Sequence, residues 1–350
     1  MDIESNDSSL KESYDSEKES EEENSLDNSW NISYEKEKQF WNQCAMELLT
    51  YEPKVCPACN LGEYEKKESK GNNILNPFQL RCNNHKCRKK VYLRYYSIFK
   101  FSPNISASVL YYIIELFIVN MKNSKEIVVE VQKKYNKTLS YITMSKKILL
   151  LRKIIAEYLK YKYRQNNIGG FDHENNPKLV AIDESLFTHD EQGQVWVVGG
   201  IETKLKNIRL DIISVRNSSN LKKFILNYFR EGTHFTPDAW AGYSFLNNNI
   251  NYAYETHVHG GGDFGYSLHS TSYIEDLWAE IKKLMMKIYG IIPMNNFIYY
   301  LREIEMRILI KNFNYTKKME TFKNMMKIVY DKCKFKFSSK NENEDLNNYD

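Results

Sequence analysis

The sequence predicts an α/β protein with a mixed sheet flanked by helices, and three observations predict this fold class. Three strand-like segments follow one another with only short turns between them, at residues 178–187, 194–203 and 208–216. An amphipathic helical segment comes next and leads to two short strand-like segments, 233–240 and 251–259. Finally, residues 271–290 repeat apolar side chains at the i, i+3 and i+4 spacing of a helix with one buried face.

The rest of the chain divides by composition and pattern. Two helical segments, 124–135 and 140–159, outline a helix-turn-helix around "NKTL", although two ordinary packed helices would give the same pattern. Paired glycines and many turn formers predict a linker before the first strand. The expected divisions are 1–35 (acidic disordered tail), 36–100 (a helix plus a cysteine module), 101–165 (a helical region), 166–177 (linker), 178–312 (the α/β domain) and 313–350 (a C-terminal helix and polar tail).

Charge is unevenly distributed along the chain. Residues 1–28 hold eleven acids and two lysines, whereas the net charge of the whole chain is +4, so residues 29–350 carry +13. A basic body suits a polyanionic partner. The acidic tail has little apolar surface to bury, and we expect it to be disordered.

The sequence predicts no membrane segment. Its start has neither the basic nor the apolar region of a signal peptide. The longest apolar run, Val109–Val119, has eleven residues and contains Glu115, which is too short for a bilayer. Six cysteines in 350 residues do not suggest a disulfide scaffold, so we expect a reducing compartment.

Four cysteines form two close pairs. Two residues separate Cys56 from Cys59, and four separate Cys82 from Cys87. Two such pairs can supply four thiolates to a tetrahedral Zn²⁺ site, and a site with four protein ligands is structural. Because the second pair is wider than usual, His85 is an alternative ligand. Four free thiols are the alternative to any metal site.

Three acids lie at unusual places in the α/β region. Asp183 interrupts or ends the first strand, Asp238 ends the fourth, and Glu275 lies in the first turn of the long helix. In a sheet of the order β-β-β-α-β-α-β-α, strands one and four can lie side by side while a later helix packs across them. The three carboxylates would then converge, and they would need cations to neutralise them. Carboxylate oxygens bind hard ions such as Mg²⁺, and two such ions can clamp the oxygens of a phosphoryl transfer.

Each acid also has a plain structural interpretation. Glu275 suits the positive end of a helix dipole. Asp238 can cap the turn that follows it. Asp183 and its neighbour Glu184 can be ordinary residues at a sheet edge.

The motifs that carry these acids resemble the ISXO-type insertion-sequence transposases and their eukaryotic counterparts, the Merlin DNA transposons. The resemblance covers roughly residues 53–312. The matching motifs are the Asp183-Glu184 pair after an apolar strand, Asp238 with Trp240 and Tyr243, and a third motif with His269, Ile274, Glu275, Trp278 and Lys282; the later "YYLREIEMR" also matches.

The resemblance implies an RNase H-like catalytic domain of the DDE type, preceded by a zinc ribbon. Asp183, Asp238 and Glu275 would be catalytic and would hold two Mg²⁺ or Mn²⁺ ions. Water would cut a DNA strand at the end of a mobile element, and the freed 3′-hydroxyl would attack target DNA. The side chains expected to support this site or contact DNA are Glu184, His259, His269, Trp278 and Lys282.

The resemblance is incomplete in two places. The segment before the third motif reads "HVHGGG" instead of the family's Asn-His-Ser, with His259 the nearest match, and the second cysteine pair is wide. A domesticated, non-catalytic DNA-binding derivative is therefore the alternative function, and an unrelated zinc-ribbon protein is a third hypothesis. The expected partners are terminal inverted repeats, target DNA and a second copy of the chain. The expected compartment is the nucleus in a eukaryote and the cytoplasm otherwise.

Overall fold

The fold is taken from a computed structural model of the chain. The residues that the structure describes are 32–46, 49–50, 53–137, 139–190, 193–238, 240–247, 249–256, 271–288 and 296–332. The chain divides into two compact units. The first comprises residues 1–110 and 131–138, and the second 111–130 and 139–350.

Within the described residues the chain forms eight α-helices and ten strands. The helices are α1 Tyr34–Met46, α2 Ala107–Ile118, α3 Ser124–Tyr135, α4 Tyr141–Gln165, α5 Ser218–Tyr228, α6 Ser272–Ile288, α7 Phe297–Ile310 and α8 Tyr315–Lys332. The strands are β1 Tyr64–Glu68, β2 Phe78–Cys82, β3 Lys90–Tyr92, β4 Ile168–Gly169, β5 Leu179–Asp190, β6 Gly193–Glu202, β7 Ile208–Ile213, β8 Phe229–Arg230, β9 His234–Thr236 and β10 Ala253–Tyr254. None of the described helices is both long and apolar enough to cross a membrane.

The first unit contains a small antiparallel sheet of order β1-β2-β3. Its two faces differ because successive side chains on a strand point to opposite sides. Phe78, Leu80 and Cys82 of β2 are buried, whereas Gln79 and Arg81 between them are partly exposed. One face is thus packed and the other faces solvent.

The second unit is built on a five-stranded mixed sheet of order β10-β9-β5-β6-β7. Strand β5 pairs antiparallel with β6 but parallel with β9, and β9 pairs parallel with β10. This confirms the predicted mixed sheet. It also confirms that the first and fourth predicted strands, now β5 and β9, lie side by side.

Two hydrophobic clusters cover opposite faces of this sheet. Ala181 belongs to the cluster formed with helices α6 and α7. Its neighbours Val180 and Ile182 belong to the cluster formed with α5 and the turn around Tyr243. The alternation along β5 therefore fixes which face each following residue occupies.

Two expectations about this region need correction. Strand β5 does not end at Asp183 but continues to Asp190, because its hairpin with β6 extends past the shorter β9. The segment 166–177, expected as a linker, contains β4, which pairs with β8. The Gly169 N–H also donates to the buried Glu202 carboxylate at 2.7 Å, so this segment is attached to the second unit.

Candidate active site and cysteine cluster

The sheet register brings Asp183 and Asp238 together. The last parallel pair between β5 and β9 is Ala181 with Thr236. Both acids lie two residues beyond this pair, so they extend from neighbouring strands at the same level. The Asp238 charge acts on Asp183 and raises its pKa, which agrees with this proximity.

Asp183 lies on the sheet face that helix α6 covers. Its Oδ2 accepts a hydrogen bond from the Trp278 indole N–H at 3.0 Å. The residue opposite Asp183 on β6 is Gly199, and a Cβ there would come within 2.5 Å of the Trp278 ring. A glycine is therefore needed at this position for the indole to reach the carboxylate. This contact fixes α6 against the sheet beside the acid.

The environment of Asp183 favours its neutral form. Burial raises the pKa of Asp183, and the Asp238 charge raises it further, while the Glu184 backbone, the Trp278 indole and the Arg216 cation act in the opposite direction. A carboxylate in this position gains from a cation beside it. The pair of aspartates is therefore suited electrostatically to a metal ion.

Asp238 is fixed from two sides. Its Oδ1 accepts a hydrogen bond from the Trp240 backbone N–H at 3.1 Å. An Nη of Arg216 lies 3.8 Å from its Oδ2. The Arg216 guanidinium also lies 4.1 Å from the centroid of the Trp240 ring. Both contacts hold the carboxylate near the end of β9.

Glu184 lies on the opposite face of β5 from Asp183 and is buried. It accepts hydrogen bonds from the Tyr243 hydroxyl at 2.5 Å and from Arg216 Nε at 3.0 Å. Burial raises the pKa of Glu184, while these two partners lower it. Glu184 thus holds Arg216, and Arg216 in turn approaches Asp238.

Glu275 lies in the first turn of α6, as predicted, and is exposed. Its Oε1 accepts a hydrogen bond from the Thr271 hydroxyl at 3.1 Å. Residues three apart in a helix lie on the same face, so Glu275 is one turn from Trp278. Helix α6 therefore contacts Asp183 through Trp278 and carries the third acid, Glu275, one turn earlier.

The donor set fits a hard divalent ion without forming a closed cage. Asp183 Oδ1 and Asp238 Oδ2 supply carboxylate oxygens of the type that Mg²⁺ prefers, and Mg²⁺ is normally bound by one or two carboxylates with waters and phosphate oxygens completing its shell. Among the described residues, the three acids do not form a group whose ligand atoms all lie within 4.8 Å of one another. An open arrangement of this kind leaves room for a substrate oxygen.

The four paired cysteines do form a closed group. Their sulfurs all lie within 4.8 Å of one another, with 3.9 Å between Cys56 and Cys87 and 3.7 Å between Cys59 and Cys82. A tetrahedron of thiolates at the usual Zn–S distance has edges of about 3.8 Å. The cluster is therefore compatible with zinc. His85 is exposed and lies outside this set.

The local backbone favours thiolates in this cluster. Backbone N–H groups of Gly62 and Leu61 lower the pKa of Cys59, and the Gly62 nitrogen lies 3.5 Å from its sulfur. Thiolates are the form that binds metal. The four cysteines grouped here are those that the sequence predicted as ligands, whereas the supporting turn at Leu61 and Gly62 was not predicted.

The other predicted site residues have different positions. Trp278 is buried and contacts Asp183, as described above. Lys282 is exposed on α6, with its ammonium 5.4 Å from the Phe187 ring centroid. His259 and His269 lie outside the described residues. Arg216 was not predicted, because a single arginine between a strand and a helix cap carries no sequence signal for the two carboxylates it meets.

No protein-family model matches the chain. No curated protein matches it either. Among solved structures, the chain is similar to the catalytic core of BIV integrase, with 14% identity over 41% of this chain and 95% of that one and a TM-score of 0.29. It is also similar to the catalytic domain of Mos1 mariner transposase, with 12% identity over 50% of this chain and 93% of that one and a TM-score of 0.21.

A third similar structure is a simian T-cell lymphotropic virus intasome in complex with PP2A regulatory subunit B56 gamma. The identity is 12%, the TM-score is 0.27, and the match covers 41% of this chain and 50% of that one. The match thus spans half the length of the chain in that structure. Scores this low assign no activity.

Proposed function

We propose that this protein is a metal-dependent DNA transposase of the DDE type, in which Asp183, Asp238 and Glu275 hold the catalytic ions on an RNase H-like domain. The observation that supports it best is the register of β5 and β9, whose last pair, Ala181 with Thr236, lies two residues before each aspartate. Two adjacent carboxylates at the end of paired parallel strands repel each other. A purely structural role for this pair would therefore lower the stability of the fold.

The chain's own residues divide the work in this proposal. Asp183, Asp238 and, from α6, Glu275 would hold Mg²⁺ through their carboxylate oxygens. When bound, two such ions supply an activated water and stabilise the attacking and leaving oxygens of an in-line displacement. Trp278 orients the Asp183 carboxylate, and Arg216 with the Trp240 N–H orients that of Asp238.

The first unit offers a surface for the DNA backbone. On the solvent face of the small sheet, Arg81 lies opposite Lys90. Arg81, Lys67 and Arg88 line a cleft of about 260 Å³ with Glu65. Cations outnumber the acid on this face, which suits phosphate contacts. Terminal repeats and target DNA as substrates, and a homo-oligomer as the acting form, belong to this same proposal.

A DNA-binding protein without catalysis is the second candidate. The specific observation in its favour is Arg216, whose guanidinium lies 3.8 Å from Asp238 Oδ2 and 3.0 Å from Glu184 Oε2. A resident cation there can neutralise the aspartate without a metal ion. The two candidates differ in whether Mg²⁺ binds at this carboxylate or Arg216 alone neutralises it.

Nicking of supercoiled plasmid DNA in Mg²⁺ or Mn²⁺ tests the proposal. Native protein should nick the plasmid, and Asp183→Asn, Asp238→Asn and Glu275→Gln should each abolish nicking. Asp276→Asn is the matched control for Glu275→Gln, because Asp276 is the exposed neighbouring residue on α6. The contrary result is a folded protein that binds DNA but nicks neither the plasmid nor DNA with the repeats that flank its coding sequence. That result would establish the second candidate.

A further inference from the structure

A cavity of about 200 Å³ lies beside the turn that follows Asp238. It is formed by the turn that follows Asp238 and by the residues at the end of β10. Two aromatic side chains, Trp240 and Tyr254, line it together with the polar side chains of Ser244, Asn247 and Thr256. Nothing in the proposed metal chemistry uses this cavity.

The Trp240 ring is held in place before any ligand arrives. The Arg216 guanidinium lies 4.1 Å from its centroid. Tyr243 contacts it edge-on with the ring centroids 6.2 Å apart. Gly242 lies so close that a Cβ there would overlap the indole. An aromatic ring that is already fixed loses little conformational entropy when a flat ligand stacks on it.

The polar side chains of the cavity have hydrogen-bonding capacity to spare. Among the described residues, the side chains of Ser244, Asn247 and Thr256 have no hydrogen-bond partner, and all three are exposed. An amide and two hydroxyls offer both donors and acceptors. A fixed indole beside such groups matches a flat ligand with a hydrogen-bonding edge, which is the chemistry of a nucleobase.

The cavity is also connected directly to the acids. The Trp240 backbone N–H donates to Asp238 Oδ1 at 3.1 Å, so the stacking ring begins two residues after the proposed metal ligand. The Arg216 guanidinium approaches both the Trp240 ring and the Asp238 carboxylate, at 4.1 Å from the ring centroid and 3.8 Å from Oδ2. A nucleotide whose base entered the cavity would therefore have its phosphate close to both the arginine and the metal site.

We infer that this cavity binds an unpaired nucleobase of the DNA strand, next to the phosphate that is cut. The inference rests on the proposed function and adds a base-binding subsite to it. Trp240 and Tyr254 would stack on the base, and Asn247 would contact its edge. An unpaired base pays little unstacking energy when it enters such a pocket.

The test compares the affinity of the full-length protein for three DNAs in buffer without Mg²⁺ or Mn²⁺, so that no cleavage is needed. These are a blunt duplex, the same duplex with a three-nucleotide 3′ extension, and the same extension without its bases. Native protein should bind the base-bearing extension about tenfold more tightly than the abasic one. Tyr254→Leu should remove this difference while leaving blunt-duplex affinity unchanged, and Trp240→Leu should also remove it.

Asn247→Ala should reduce the same preference. Because Asn247 contacts neither Arg216 nor Asp238, this variant tests the inference even if Trp240→Leu fails to fold. Tyr315→Leu, on α8, is the control for loss of a partly exposed aromatic. Equal affinity for the abasic and base-bearing extensions, or a preference that survives all three cavity variants, would overturn the inference. Failure of the proposed function shows separately, as DNA binding without metal-dependent nicking.

Discussion

At the residue scale, the candidate site brings three carboxylates close to one arginine. Asp183, Asp238 and Glu184 lie around Arg216, which pairs with Glu184 and approaches Asp238. Burial raises the pKa of both Asp183 and Glu184. Such an arrangement costs stability when no metal is bound, and active sites commonly show this kind of cost.

The raised pKa of Asp183 predicts a specific pH dependence of stability. Between the ordinary pKa of an aspartate and the raised folded value, the unfolded chain has already lost its proton, so the folded protein loses stability as pH rises through this window. Asp183→Asn should therefore raise the unfolding temperature at pH 7 in buffer without Mg²⁺ or Mn²⁺, by more than at low pH. Thermal unfolding followed by circular dichroism measures this.

Asp172 supplies a control of opposite sign. A hydrogen bond from the Asn176 backbone, together with one from the Glu174 backbone, lowers the pKa of Asp172 against the opposing effect of burial. Asp172→Asn should therefore destabilise the protein at pH 7. Equal effects of the two substitutions would contradict the electrostatic account of Asp183.

At this scale the acids themselves could be predicted from sequence, but their surroundings could not. A carboxylate directly after an apolar segment is visible in the sequence, as at Asp183. Arg216 acts through contacts with residues 32 and 22 positions away along the chain. These contacts form only in the folded protein, so the local sequence pattern does not predict them.

At the element scale, helix α6 packs closely on strand β6 at Gly199, because this residue has no side chain. Gly199→Ala would place a methyl group 2.5 Å from the Trp278 ring and push the indole away from Asp183. We expect Gly199→Ala to weaken metal binding about tenfold, as is typical when a partner that orients a ligand is lost. Isothermal titration with Mn²⁺ measures the change.

Gly200→Ala is the matched control for this prediction. A Cβ at Gly200 would come 2.6 Å from the Phe229 ring, on the other face of the sheet. It should destabilise the protein by overpacking without changing metal affinity. If both alanines weakened Mn²⁺ binding equally, the specific role of Trp278 would be wrong.

The cysteine cluster allows an equally direct test. Native protein should contain one zinc ion per chain, and Cys82→Ser should lose it, because three thiolates and a hydroxyl bind Zn²⁺ far more weakly than four thiolates. Cys44→Ser is the control, since Cys44 is buried in the same unit but lies outside the cluster. Atomic absorption measures zinc content, and retention of zinc by Cys82→Ser would contradict the assignment.

The elements themselves show where sequence patterns succeed and fail. The apolar period of α6 predicted a helix at 271–290, and the structure has Ser272–Ile288. The end of β5 was misplaced because hairpin pairing with β6, rather than local composition, determines its length. The segment 166–177 was expected as a linker because its glycines and asparagines are turn formers, yet two of its residues pair with β8.

At the scale of the whole molecule, charge distribution predicts how the proposed binding to DNA depends on salt. The chain beyond residue 28 carries a net charge of +13, so binding should weaken steeply with salt. Each phosphate contact contributes about −0.9 to the slope of log K against log salt. Arg81→Gln combined with Arg88→Gln should therefore make the slope shallower by about two, as fluorescence anisotropy at several salt concentrations would show.

Lys222→Gln combined with Lys223→Gln is the control for that experiment, because it removes two exposed charges from α5 instead of from the small sheet. Zinc content should be measured in parallel, since Arg81 and Arg88 each adjoin a cysteine of the cluster. A salt slope that is the same in native and Arg81/Arg88-substituted protein would show that this sheet face does not contact phosphate.

The most direct test of the central claim is Mn²⁺ binding to zinc-loaded protein, followed by electron paramagnetic resonance. The account predicts that native protein binds Mn²⁺, that Asp183→Asn and Asp238→Asn each remove this binding, and that Asp276→Asn retains it. Absence of Mn²⁺ binding in folded native protein, or binding that survives both aspartate substitutions, would contradict the claim that these two carboxylates form a metal site.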